Sequence, residues 1–153
     1  MDQRSNYYAL APEGIKAMLG LEKYIHGTAL EPNLIHLIKL RVSQLNGCAY
    51  CIDMHWKDLR ALGETEQRLY SLDAWRESSY YTDRERAAFA WAESLTFITN
   101  GHVPDSVYAA AREQFAEKDL VDLALVTTTI NAWNRVAIAF RAKAGPYQSP
   151  LRT

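Results

Sequence analysis

The chain has 153 residues and a formal net charge of −1, with 48% hydrophobic and 23% charged residues. That balance fits one soluble globular unit with a single core. Lysine and arginine are scattered among aspartate and glutamate, which speaks against a nucleic-acid patch or a polybasic membrane segment, and no apolar run approaches the roughly 20 residues of a membrane span.

Residues 1–10 read as an extended, tyrosine-rich arm with no apolar signal core. The expected compartment is therefore the cytoplasm, which is reducing. Pro12-Glu13-Gly14 opens a first helix, with Ile15, Met18, Leu19, Leu21 and Tyr24 on its apolar side, and His26-Gly27 ends it. A second helix starts at Glu31-Pro32, where a proline in the first turn loses no hydrogen bond. Its apolar positions Leu34, Leu37, Ile38, Val42 and Leu45 recur at three and four, and His36 falls off that stripe. Asn46-Gly47 breaks the chain before a third helix that reaches about Leu62-Gly63.

Thr65 starts a short helix to about Leu72, and Ala74 to Tyr81 reads as irregular, with Trp75, Tyr80 and Tyr81 as packing anchors. Thr82-Asp83-Arg84-Glu85 is a capping box. The helix behind it carries Ala88, Trp91, Ala92, Leu95 and Ile98 on one face and ends at Asn100-Gly101. Pro104-Asp105-Ser106 opens another helix, to about Phe115. The last segment, Lys118 to Ala144, is apolar on more than one face and is expected to be central or covered by a second subunit, with Gly145-Pro146 as its stop. No strand alternation persists. The expected fold is all-α, a bundle of about six or seven helices, as one domain over 1–153 with the motif-bearing core at about 30–100.

Both cysteines lie in Asn46-Gly47-Cys48-Ala49-Tyr50-Cys51-Ile52-Asp53-Met54-His55, spaced Cys-x-x-Cys-x-x-x-His. On a helix, residues 48, 51 and 55 share one face. The break at Asn46-Gly47 places Cys48 near a helix N-terminus, where free amides and the helix dipole stabilise a thiolate. A low-pKa dithiol beside an imidazole points to thiol–disulfide or peroxide chemistry. Two other readings stand beside it: buried cysteines as plain core residues, and a structural zinc held by Cys48, Cys51, His55 and His36. If the flanking helices fold back as a hairpin, position 36 comes opposite about positions 55 to 58. His26 and His102 read as helix-end residues. Tyr50, between the cysteines, can donate a hydrogen bond to a thiolate. Asn131, Trp133, Asn134 and Arg135 read as a hydrogen-bonding cluster against the cysteine helix or a partner subunit.

The run Leu40 to His55, continued by Lys57-Asp58 and Gly63-Glu64, resembles the core of the alkylhydroperoxidase AhpD-like family, within the carboxymuconolactone decarboxylase-like superfamily. Asp83-Arg84-Glu85-Arg86-Ala87-Ala88 and Ile130-Asn131-Ala132-Trp133-Asn134-Arg135 extend the resemblance over residues 30 to 140. It implies an AhpD-like helical bundle, homo-oligomers from dimers to hexamers, and Cys-x-x-Cys-dependent peroxidase or disulfide-reductase activity without a cofactor. It also implies attack by Cys51, resolution by Cys48 and proton transfer through His55. Better-studied members place a glutamate where this chain has His36 and a histidine where it has Tyr50. A neutral His36 supplies no negative charge to His55, so a weakened proton relay is expected. The partners implied are a hydroperoxide, a dithiol or redoxin reductant and further copies of the chain, with no nucleic acid and no membrane. A non-redox, carboxymuconolactone decarboxylase-like enzyme and a zinc-binding oligomeric module are the alternatives.

Overall fold

The computed structural model describes residues 2–151 as eight α-helices and one 3₁₀ turn, with no strand among the described residues. The cysteines sit at the bend of a helical hairpin. Helix α3 (Pro32–Asn46) carries Pro32 in its first turn and ends at Gly47, whose φ is 69°. A residue with a Cβ adopts that left-handed conformation at a cost of about 1–2 kcal/mol, which is why glycine stands there. The amides of Gly47 and Cys48 return to the carbonyls of Gln44 and Ser43. Helix α4 (Ala49–Ala61) then begins at once with Cys48 as its N-cap.

Helix α3 is the centre of the molecule. All ten residues from Leu34 to Ser43 are buried, because α4, α6 (Asp83–Thr96) and α8 (Glu117–Phe140) pack around it. His36 therefore has no open face to lie on: it is 5% exposed and belongs to the interior. The polar residues of α3 are buried with partners from distant elements. Lys39 is paired with Glu22 of α2 (Pro12–His26). Arg41 donates from Nε to Glu93 of α6 at 2.8 Å and from Nη1 to Asp73 at 2.5 Å. Glu93 also accepts from the Trp75 indole at 2.8 Å and from Arg76 at 2.5 Å. Without such partners a buried charge costs several kcal/mol.

Helix α8 packs on α2, α3, α4, α6 and α7 (Asp105–Gln114) and leaves Val121 and Ile138 outside. Its asparagines hold the bend of the hairpin rather than α4 itself. The Asn46 amide donates to Asn131 and Asn134, each at 2.9 Å, and Asn134 donates to the Ser43 hydroxyl at 3.0 Å.

Several boundaries differ from the expectation. The N-terminal arm contains a short helix, α1 (Tyr7–Leu10), capped by Asn6. It lies on the end of α8, through the Arg4 amide to the Phe140 carbonyl at 3.0 Å and the Tyr7 ring against Phe140. The short helix α5 (Glu66–Tyr70) gives way to a 3₁₀ turn at Leu72–Ala74. The capping box of α6 forms as expected, but the helix stops at Thr96, which leaves Ile98 outside it and exposed. Trp75 and Tyr81 are buried anchors, whereas Tyr80 is exposed. Helix α8 ends in a left-handed Arg141 (φ 54°), ahead of Gly145-Pro146. Among the described residues no helix is long and apolar enough to cross a membrane.

Candidate active site

Cys48 and Cys51 are joined by a disulfide, with their Cα atoms 5.4 Å apart. The Cys48 sulfur also accepts the Cys51 amide at 3.3 Å, so it fills the place of an N-cap oxygen. Both residues are buried, yet they face different surroundings. Cys51 lines a cavity of about 430 Å³ and Cys48 does not. His36, Tyr50 and His55 line the same cavity. Four of the five expected site residues thus meet at one space, and Cys48 reaches it through its bond to Cys51. The walls are largely apolar, with Tyr7, Leu19, Met54, Ile130, Trp133 and Leu151 among them.

The hairpin brings His36 and His55 into contact, with their Nδ1 atoms 3.3 Å apart. One Nδ1–H donates to the other ring's lone pair. Asp58, one turn beyond His55 on α4, is the third member. Its Oδ2 lies 3.7 Å from His36 Nδ1 and 3.9 Å from His55 Nδ1, too far for a hydrogen bond to either. Burial pushes the His36 imidazole down to about 3, with Lys39 and His26 acting in the same direction. Burial likewise holds His55 well below the ordinary histidine range, with Lys39, His36 and His26 adding to it. Both rings are therefore neutral near pH 7, and their approach to Asp58 is not a charged ion pair. The buried Nε2 of His55 has no hydrogen-bond partner among the described residues.

Asp58 is held from the C-terminal side of the chain. The hydroxyls of Tyr147 and Ser149 both donate to its Oδ1 at 2.7 Å. Lys57 fixes the same segment by donating to the carbonyls of Gly145 at 2.9 Å and Tyr147 at 3.0 Å. On the far side, the His26 ring packs against His36 with centroids 5.5 Å apart. Glu22 accepts the Trp133 indole at 3.0 Å and pairs with Lys39.

A carboxylate does lie near the imidazole pair, Asp58 on α4 rather than a residue at position 36. Asp58 was readable in principle, because residues 55 and 58 share a helix face. Tyr147, Ser149 and Glu22 carried no local signal, since only the tertiary fold brings them here. His26 does end α2, but it also backs the imidazole pair. The alternative Cys₂His₂ zinc set is not assembled here: the sulfurs are bonded to each other, and the histidines lie beside Asp58.

Fold and cysteine pair together define an AhpD-like helical protein, in which Cys-x-x-Cys starts the second arm of a central hairpin. The chain belongs to the carboxymuconolactone decarboxylase family, whose model matches residues 11–94. It is 48% identical over 144 residues to the uncharacterised protein YdfG of Bacillus subtilis strain 168, covering 94% of this chain and 98% of that one. It superposes with a TM-score of 0.92 on the crystal structure of ATU0492 from Agrobacterium tumefaciens, a protein of unknown function proposed as the antioxidant defence protein AhpD. That pair is 40% identical and covers 95% of this chain and 100% of the other. A peroxidase-related protein from Ralstonia eutropha JMP134, described as an alkylhydroperoxidase AhpD core, shares the fold at a TM-score of 0.81 and 20% identity, over 91% of this chain and 74% of that one.

Proposed function

We propose that the protein is a thiol-dependent peroxidase that reduces hydroperoxides through Cys48 and Cys51, in the service of antioxidant defence. The observation that carries this reading is the disulfide itself: a bonded pair at a helix N-terminus, with one sulfur on an enclosed cavity beside a neutral imidazole. The ATU0492 proposal and the description of the Ralstonia protein point the same way.

In the reduced chain the Cys51 proton passes to His55, whose Nε2 is the unpartnered acceptor when its Nδ1–H is directed to His36. The Cys51 thiolate attacks the outer peroxide oxygen; the O–O bond breaks, and the alkoxide leaves as alcohol with the proton returned by His55. Cys51 is now a sulfenic acid. The Cys48 thiol displaces its hydroxyl as water and closes the disulfide. A small dithiol or redoxin restores both thiols by exchange, becoming oxidised in turn. Tyr50, which lines the same cavity, donates a hydrogen bond to the Cys51 thiolate in this reading. The cycle needs no cofactor and works in a reducing compartment such as the cytoplasm.

Thiol counting tests the reading. The reduced protein should show two free thiols and lose both with one equivalent of an organic hydroperoxide, giving no dimer band on a non-reducing gel. Thiols that survive the peroxide, or links formed only between chains, refute it.

The working form is a homo-oligomer. Leu10 is 76% and Val121 58% exposed in the single chain, and Ile138 and Phe140 add to the outward apolar surface of α8. Light scattering at micromolar concentration should give a multiple of 17.4 kDa, and a mass of one chain contradicts the proposal.

A further inference from the structure

We infer that His36, His55 and Asp58 form a binding site for a divalent transition-metal ion of the zinc class. The three residues are buried, and their ligand atoms lie within 4.8 Å of one another. The separations are 3.3 Å between the two Nδ1 atoms, and 3.7 and 3.9 Å from these to Asp58 Oδ2. The nearest point equidistant from atoms so placed lies in their plane at about 2.1 Å from each, close to the zinc–nitrogen and zinc–oxygen bond length, so a four-coordinate ion just outside that plane requires only a slight closing of the three ligands. Hydrogen bonding joins the two rings but does not account for the position of Asp58 Oδ2. Both contacts to Oδ2 exceed hydrogen-bond range, while Oδ1 takes two hydroxyl donors. A carboxylate with one oxygen tied by hydroxyls and the other turned to two imidazole nitrogens is oriented as metal-ligating carboxylates are.

The support is rigid. His55 and Asp58 stand one turn apart on α4, and His36 faces them from the buried core of α3. The nearest cation, Lys39, is matched by Glu22, so its charge is compensated before an ion enters. All three ligands line the cavity, which leaves room for a water or small ligand as a fourth donor. Three protein ligands with one open place is the pattern of catalytic rather than closed structural zinc sites. The set contains no cysteine, so it is complete with the disulfide formed.

Titration of the oxidised protein with Co²⁺ tests the site. No peroxide is present, so the outcome is independent of the peroxidase reading. One Co²⁺ per chain should bind, with the strong visible absorption of a four-coordinate ion, and Zn²⁺ should displace it. His36→Gln and Asp58→Asn, each checked for native helix content by circular dichroism, should weaken Zn²⁺ binding in calorimetry by at least about 10-fold. The site is overturned if the oxidised wild type gives neither the visible band nor binding heat. It is also overturned if both folded variants bind as tightly as wild type, or if binding needs reduction and is lost in Cys48→Ser, which places the ion on the cysteines.

Discussion

Cys51→Ser should lower dithiol-dependent peroxide turnover by about 10³-fold or more, because a serine hydroxyl is not ionised near pH 7 and has no comparable nucleophilicity. Cys48→Ser should behave differently. It should consume one equivalent of peroxide and stop at a sulfenic acid on Cys51, which a dimedone adduct located by mass spectrometry reveals. The asymmetry comes from placement. On dipole strength alone Cys48, nearer the helix end, is the better thiolate. Yet Cys48, whose sulfur takes the Cys51 amide, does not line the cavity, whereas Cys51 does. An adduct on Cys48 in the Cys51→Ser protein, with turnover retained, reverses the assignment.

Glu93→Ala should destabilise the fold by about 3–5 kcal/mol. That corresponds to roughly 6–20 °C in melting temperature for a chain of this size. Glu93 receives Arg41, Trp75 and Arg76 and so ties α3 to α6 and to the segment after α5. Its removal leaves the guanidinium of Arg41, 6% exposed, with Asp73 as its remaining carboxylate partner. The pH dependence has a definite sign. Burial raises the Glu93 carboxyl, but the hydrogen bonds from Arg76, Trp75 and Arg41 outweigh it and hold the group below its ordinary 4.5. A folded-state pKa below the unfolded value stabilises the protein above about pH 4.5, and that stability is lost as pH falls through the folded pKa. Urea denaturation of wild type should therefore weaken on acidification below about pH 4.5 more steeply than that of Glu93→Ala. Parallel acid profiles for the two proteins count against this role of Glu93.

The helix ends were legible because their chemistry is local. Pro32 in a first turn, Gly47 in a left-handed turn and the Thr82–Glu85 capping box each act within a few residues. The cysteine face was legible for the same reason. The depth of α3 was not. A stripe of leucines and isoleucines interrupted by His36, Lys39 and Arg41 has the pattern of a half-exposed helix. It is wholly buried because His55, Glu22 and Glu93, distant in sequence, satisfy those three residues. Periodicity registers polarity, not whether a partner waits across the interior. The place of Asp58 was not legible for a related reason: His36 reaches it only from the facing helix.

The enclosure of α3 also bears on which changes of length the chain can survive. A substitution on α3 disturbs one contact. Deleting or inserting one residue between Leu34 and Ser43 instead rotates everything beyond it by about 100° relative to everything before. On a helix with one free face such a slip can be absorbed by turning the exposed side. Here all ten residues are buried, with His36 engaged by His55 and Arg41 by Glu93. Four residues lie between His36 and Arg41, and a single frame shift within that interval puts the imidazole contact and the ion-pair network out of phase. Drift in helix length therefore belongs to the outer elements, such as α1 or the turns after α6, and α3 acts as the fixed gauge against which the rest of the chain is aligned.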